Sequence, residues 1–356
     1  MIEQVNVANF GCLHAVKAGL TPLHALIGPN DTGKSTMLRA LEAAVRFASR
    51  SPTRPMRSGT AMERFSAPST VERAVRVVIP AGASYAVARN AEGIFEEIAP
   101  AREGGGRAPL RDLDVSPLST RDAPTEPHGR LRQELRGVRV LRLDPDALRL
   151  PSTLLPDASS IGFADERGGG LPGVYDAIMN RGDDSFRKVA DDVRALFPTV
   201  KNLRLKAVSA SAKKIEIELA DGTKVTADEM SEGLLYYLGY AAVGYLEPTS
   251  LLLVEEPENG LHPARTADVI RSLRAISGKG TQVVMATHSP LVINELRPDE
   301  VTVFTRDPEK GTIVTPISAT PRFAERSKVY NLGELWLAYA NGSDEAPLLR
   351  GEEHPS

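Results

Sequence analysis

Cysteine is almost absent from this chain: Cys12 is the only one in 356 residues. No intrachain disulfide can form and no cysteine-based zinc site can be built, which fits a reducing cytosol. Net charge is nearly absent too, at −3, so the chain as a whole has no attraction for a nucleic-acid backbone. Long apolar runs are missing. The most apolar stretch, 234–254, is interrupted by Gly239, Gly244, Glu247 and Pro248. A membrane-spanning helix needs about 18 or more uncharged residues, so no membrane partner is expected. Residues 1–20 lack a basic start followed by an apolar segment, so no secretory leader is expected and a cytoplasmic location is. No internal repeat occurs, and no heptad run is long enough for a coiled-coil arm.

The remaining composition is that of an ordinary globular protein, 42% hydrophobic and 25% charged. At about 150 residues per domain, the length allows about two domains. Strands are predicted at 2–8, 13–17 and 23–28, then a helix from Ser35 to about Phe47 with Leu38, Leu41 and Val45 at helical spacing. Residues 48–70 read as a Ser-, Pro- and Arg-rich loop. Three short strands, in 71–80, 84–89 and 94–99, suggest a small antiparallel sheet. The stretch 99–130, with three consecutive glycines and several prolines, reads as a mobile insertion. A strand follows at 136–143, then helices at 174–180 and 184–196. Strands 201–209 and 213–220 lead into a turn at Asp221–Gly222. After a helix at 232–246 come strand 250–255, helix 263–276, strand 281–286 and a short helix after Ser289. A hairpin of 300–305 with 312–317 and a helix at 332–340 complete the pattern; the helix puts Leu332, Leu335, Trp336 and Tyr339 on one face. Alternating strands and helices argue for a mainly parallel α/β sheet.

"GPNDTGKST", residues 28–36, satisfies G-x-x-x-x-G-K-[ST] between a predicted strand and a predicted helix. Such a loop wraps backbone N–H groups around phosphates at the positive end of a helix. The nucleotide-binding candidates are Gly28, Asn30, Thr32, Gly33, Lys34, Ser35 and Thr36. Lys34 supplies a compact charge to the β- and γ-phosphates, and Ser35 a hydroxyl to Mg2+. Asp31 brings a negative charge into the loop, so its side chain is expected to point outward.

The stretch "LLLVEEPENGLHP", residues 251–263, drives an apolar strand into two adjacent carboxylates. Two acids after an apolar run are more often a solvated strand end. A phosphate loop changes that weighting, because its nucleotide needs a carboxylate for the metal shell and a second group to polarise water. Glu255 fits the first role and Glu256 the second.

Further along stand "SEG" at 231–233 and "ATHSP" at 286–290. The order of phosphate loop, long insertion, Ser-Glu-Gly, apolar-Glu-Glu and Thr-His-Ser resembles the ATP-binding-cassette ATPases. It resembles most closely the stand-alone AAA-family members related to the SMC, RecF and OLD proteins. The likeness is strong over about 1–47 and 200–296 and loose between them. It implies an α/β P-loop NTPase of ABC type: a mainly parallel sheet flanked by helices, an N-terminal antiparallel β-subdomain, and a helical or irregular insertion. Expected segments are an N-terminal ATPase part at 1–98, the insertion at 99–200, a C-terminal ATPase part at 201–320, and a helix and tail at 321–356.

The resemblance also implies that two protomers sandwich two ATP molecules head to tail. Ser231 and Gly233 would cap the γ-phosphate held by the opposite protomer, and Asn259 and Gly260 would form the turn that crosses the interface. Glu256 and Lys34 would be catalytic, and His288 would contact the γ-phosphate and report its loss. Taken singly, His288 reads as a core histidine; the surrounding motif is what promotes it. Two departures stand out. Glu255 occupies a position where many relatives carry aspartate. No glutamine loop can be assigned, since Gln133 is the only glutamine between the phosphate loop and the Ser-Glu-Gly motif and has no supporting context.

Two weaker signals concern nucleic acid. Residues 45–76 carry Arg46, Arg50, Arg54, Arg57, Arg64, Arg73 and Arg76 against Glu63 and Glu72. That strip could bind a phosphate backbone or be a solvated loop. Asp144-Pro-Asp146 with Glu92 could imitate an OLD-type nuclease metal site, but the proline and its place in the insertion weigh against it. The stretch after His288 is too short for a nuclease domain, so nuclease chemistry is expected on a partner polypeptide. The leading expectation is an Mg2+-dependent ATPase whose ATP-driven dimerisation gates a separate nuclease or effector subunit, or DNA, in repair or in defence against foreign DNA. A slow-turnover ATP-gated scaffold and a transporter ATPase subunit are the alternatives.

Overall fold

Period-two alternation organises the N-terminal part of the chain. The computed structural model describes residues 1–50, 65, 71–99, 108–109, 118, 128–155 and 160–340. The expected loop at 48–70 and insertion at 99–130 lie largely outside them. The described residues fall into two units. One takes those of Met1–Val140, Thr249–Glu255 and the chain from Ser277 on; the other takes Leu141–Pro248 and Glu256–Ile276.

In the first unit, β1 (Gln4–Phe10), β2 (Leu13–Gly19), β4 (Arg73–Val78), β5 (Ser84–Asn90), β6 (Gly93–Ala99) and β7 (Ala108–Pro109) form one antiparallel sheet, while β3 (Leu23–Ile27) belongs to another. The antiparallel order is β2-β1-β4-β5-β6-β7. The first two predicted strands therefore share a sheet with the three later ones. Register lines up Val16, Val7, Val75 and Val87 in one row and Ala18, Val5, Val77 and Tyr85 in the next. Those rows are buried and face α1 (Lys34–Ala48), whose Met37, Leu38, Leu41, Ala44, Val45 and Phe47 are buried with them.

The second sheet of this unit runs β16-β15-β3-β14-β13-β8. Its members are β8 (Val138–Leu141), β13 (Leu251–Glu255), β14 (Gln282–Thr287), β15 (Val301–Asp307) and β16 (Gly311–Pro316), with β3 near the centre. β13, β14, β3 and β15 are parallel and β16 is an antiparallel edge. β3 and β14 are buried at every residue, so their largely apolar sequences lack the alternation of a half-exposed strand, and His24, Gln282 and Thr287 are buried with them. α1 covers this sheet as well and lies between the two. α2 (His128–Glu134) contributes Leu131 to the same core.

The second unit contains α3 (Pro145–Leu148), β9 (Ser152–Thr153), α4 (Leu171–Met179), α5 (Ser185–Leu196), β10 (Val200–Ala207), β11 (Ala212–Leu219) and β12 (Lys224–Thr226). It continues with α6 (Glu232–Val243) and α7 (Pro263–Ser277). β9 and β12 were not apparent from sequence; both are short strands paired with β11. The Asp221–Gly222 turn joins β11 to β12, with Gly222 at φ +86°. α6 is buried on nearly every side from Leu234 to Val243, as expected of a helix with no polar face. It ends at Val243, three residues earlier than its apolar pattern predicts, and Gly244 caps it.

The chain ends its described part in the first unit with α8 (Pro290–Asn294), α9 (Phe323–Arg326) and α10 (Leu332–Ala340). Among the described residues no helix is long and apolar enough to cross a membrane.

Candidate nucleotide site

The loop after β3 is built by steric necessity. Gly28 has φ +157°, and a Cβ there would fall 2.2 Å from the Phe304 carbonyl oxygen of the neighbouring strand. Gly33 follows at φ +103° and begins α1. No side chain caps that helix and its first turn holds no acid, so its positive end is left uncompensated. Thr32 is buried, and its hydroxyl donates to the Pro29 carbonyl at 2.9 Å. Thr312 of β16 braces the loop from outside, donating to the Thr32 carbonyl at 2.9 Å. Asn30 and Asp31 are exposed, and Ser35 and Thr36 are half-buried.

Lys34 is 8% exposed, and its ammonium donates to the Gly28 and Pro29 carbonyls at 2.7 and 2.6 Å. The charge is held inside the loop that it would share with an anion. A glycine cradle, an uncapped helix start and a buried ammonium fit a polyphosphate.

Two neighbouring parallel strands bring the other candidates of this unit to the same sheet edge. Glu255, the last residue of β13, is in register with Ala286 of β14, and Ala286 is in register with Leu26 of β3. Strand spacing puts the β13 end roughly 10 Å across the sheet from β3. Thr287 pairs with Ile27, and His288 follows it with an exposed side chain. Phosphate loop, Glu255 and His288 thus leave consecutive strands β3, β13 and β14 in the same direction, outside their carboxyl ends. Ligands of open α/β sheets bind in that position. Ser35 and Glu255 are an oxygen donor pair of the kind a magnesium shell uses.

In the second unit, Glu256 has φ +46°, and its carboxylate accepts from the Asn259 amide at 2.7 Å. The Asn259 N–H returns to the Glu256 carbonyl at 3.0 Å, closing a turn. Ser231 is the N-cap of α6, its hydroxyl accepting from Leu234 N–H at 3.4 Å. Ser231, Gly233, Gly260, Leu261, His262, Arg265 and Phe197 line one open cavity of about 610 Å³. Sequence reasoning missed Arg265 and Phe197. The guanidinium lies 5.4 Å from the Phe197 ring centroid and donates to the Leu196 carbonyl.

Several weaker sequence signals resolve differently. Arg50, counted in the basic strip, is 1% exposed and pairs with Glu96 at 3.0 Å, while Tyr85 donates to the same carboxylate. It is a core residue and no contact for a phosphate backbone. Arg46 pairs with Glu42 and Arg76 with Glu97; Arg54, Arg57 and Arg64 lie outside the described residues. Asp144 caps α3, accepting from the N–H groups of Asp146 and Ala147, and pairs with Arg167 at 2.9 Å. Those hydrogen bonds hold its carboxyl below the usual carboxylate range against the opposing effect of burial. Among the described residues no group of three or more His, Cys, Asp or Glu could hold a metal ion, so the imagined Asp144–Asp146–Glu92 set is not assembled.

A family model described as "AAA domain, putative AbiEii toxin, Type IV TA system" matches residues 23–294. An OLD nuclease of Thermus scotoductus is 25% identical over 88% of this chain, and the chain spans 64% of that protein's length. An SMC head bound to the C-winged helix domain of ScpA matches with a TM-score of 0.57 at 16% identity, over 88% of this chain and 96% of the other. An SMC head with an extended coiled coil, bound to the C-terminal domain of ScpA derived from Pyrococcus furiosus, gives 0.52 at 12% identity, over 92% and 99%. At these identities the SMC likeness speaks for the fold.

Proposed function

The chain belongs to the AAA-domain family whose model spans residues 23–294, an ABC- and SMC-like group of ATPases, and from that premise we propose that it is a Mg2+-dependent ATP hydrolase working as an ATP-closed dimer. The observation that carries the reading is the common exit of the phosphate loop, Glu255 and His288 from β3, β13 and β14.

Lys34 exchanges the carbonyls of Gly28 and Pro29 for β- and γ-phosphate oxygens as ATP enters. The N–H groups that start α1 take the remaining phosphate charge. Ser35 and Glu255 would hold Mg2+, which supplies charge neutralisation to the phosphates when bound. Glu256 orients a water and takes its proton as the water oxygen bonds to the γ-phosphorus. The bond from that phosphorus to the β,γ-bridging oxygen breaks and ADP leaves with the electron pair. Ser231 and Gly233 of the opposite protomer meet the γ-phosphate with the N-terminus of α6, and Asn259 and Gly260 lie in the interface. His288 touches the γ-phosphate and registers its departure. Dimer closure and opening then gate a partner, either DNA or a separate nuclease subunit, in DNA repair or defence. The nuclease partner is suggested by the OLD nuclease relative, of which this chain spans 64%.

One observation favours slow turnover, as in an ATP-gated scaffold: the Asn259 amide holds one oxygen of the Glu256 carboxylate at 2.7 Å, which restrains how that carboxylate can turn toward a water.

Phosphate release and binding of a labelled ATP test the assignment. Lys34→Ala is expected to abolish binding. Glu256→Gln is expected to bind ATP as tightly as wild type and to lose roughly 100-fold or more in turnover. Turnover indifferent to Glu256→Gln refutes the hydrolytic assignment.

A further inference from the structure

His288 has two distinct connections. Its side chain is exposed. Its backbone carbonyl accepts a hydrogen bond at 3.1 Å from the indole N–H of Trp336, which lies 48 positions further on in α10. Trp336 is 3% exposed and is the only tryptophan of the chain. A buried indole N–H needs an acceptor, and losing it leaves a desolvated donor. The His288 carbonyl therefore cannot shift freely: the bond breaks at a cost or α10 follows.

The surrounding contacts favour following. α10 opens with a reciprocal cap, in which Glu334 N–H donates to the Asn331 side chain and Asn331 N–H to the Glu334 carboxylate, each at 3.0 Å. Gly333 N–H donates to the Asn294 side chain at 2.7 Å, at the far end of α8. A Cβ on Gly333 would fall 2.3 Å from the Pro290 carbonyl oxygen, so only glycine lets the two backbones come this close. Ser289 N–H donates to the Thr287 hydroxyl at 3.0 Å, tying the start of α8 to the end of β14. Residues 287–294 and α10 are joined at both ends of α8. Packed elements joined in this way shift as bodies and do not deform smoothly.

We infer that Trp336 is a positioning residue for His288, and that α10 is the element through which loss of the γ-phosphate is transmitted out of the site. The inference rests on the γ-phosphate role proposed for His288. It assigns α10 a task in the nucleotide cycle, beyond covering the core.

The lone tryptophan supplies the test. Full-length protein carrying Glu256→Gln is loaded with ATP and Mg2+, or with ADP and Mg2+, and occupancy is checked separately by displacement of a ribose-labelled nucleotide. Tryptophan emission and its quenching by acrylamide are expected to differ between the ATP- and ADP-loaded states. Adding His288→Ala, with ATP raised until occupancy matches that of the parent, is expected to abolish that difference. In the otherwise unmodified protein, Trp336→Phe keeps a ring but removes the N–H, and should lower kcat roughly threefold to tenfold at unchanged KM, the size of one hydrogen bond. Equal emission and quenching in two states shown to be occupied would overturn the inference, and this arm does not depend on any Trp336 variant folding. Failure of either nucleotide to bind would instead overturn the ATPase reading, and the inference with it.

Discussion

His24 sits inside β3 with its Nε2 2.9 Å from the Thr302 hydroxyl and its Nδ1 3.0 Å from that of Thr21. Both neighbours are neutral, and burial lowers the imidazole pKa from 6.5 to about 4 despite the nearby carboxylates of Glu300 and Asp299. The unfolded chain takes up a proton below pH 6.5 that the folded protein refuses until about pH 4. Stability from this group is complete above pH 6.5 and declines as pH falls through that window. The loss amounts to roughly 3 kcal/mol by linkage. Denaturant unfolding of wild type and His24→Gln between pH 7 and pH 4 checks this, with the steep acid decline expected in wild type alone. A histidine so enclosed serves the core, and its place in the strand predicted at 23–28 already points there. Arg50 is the opposite case. Within a Ser-, Pro- and Arg-rich stretch it reads as solvated, yet it is buried on Glu96. A signal existed: strand alternation puts Glu96 in the row of Val7, Val75 and Val87. A carboxylate on that inward face requires a buried cation or donor.

At the scale of elements, what was legible followed from period and motif. β3, β13 and β14 are buried and largely apolar, without the alternation of a half-exposed strand, and the phosphate loop and paired glutamates mark where two of them end. Contacts between side chains distant in sequence were not legible. No pattern announces that Trp336 reaches His288, or that α5 ends beside the residue that stacks on Arg265. The cavity at the start of α6 offers the clearest example. Arg265, in the first turn of α7, is held by the Phe197 ring and the Leu196 carbonyl, with Asp268 at 3.8 Å. A guanidinium fixed next to Ser231 and Gly233 adds a preorganised cation to a helix N-terminus. Arg265→Ala is expected to leave ATP binding to the monomer unchanged and to weaken ATP-dependent self-association. The loss should be roughly tenfold to hundredfold, the worth of a hydrogen bond to a charged group. Sedimentation velocity of the Glu256→Gln protein, with and without the change at Arg265, reads that difference.

For the whole molecule, the proposed two-fold arrangement makes a demand that no single chain meets. Each complete site needs Lys34 from one protomer and Ser231 from the other, so defects in the two residues must complement each other when protomers mix. In a mixed dimer of Lys34→Ala with Ser231→Arg, both lesions fall in one site and the second site is whole. Random mixing of equal amounts makes half the dimers mixed, so about a quarter of wild-type sites should be restored if the two sites act independently. Phosphate release, together with retention of labelled ATP so that a site that binds but waits for its twin is still counted, measures the recovery. Each variant alone is expected to retain almost nothing. If the mixture also retains nothing by both readouts while ATP still brings protomers together, then Ser231 does not act across the interface. The N-terminus of α6 would then need an anion other than the partner's γ-phosphate.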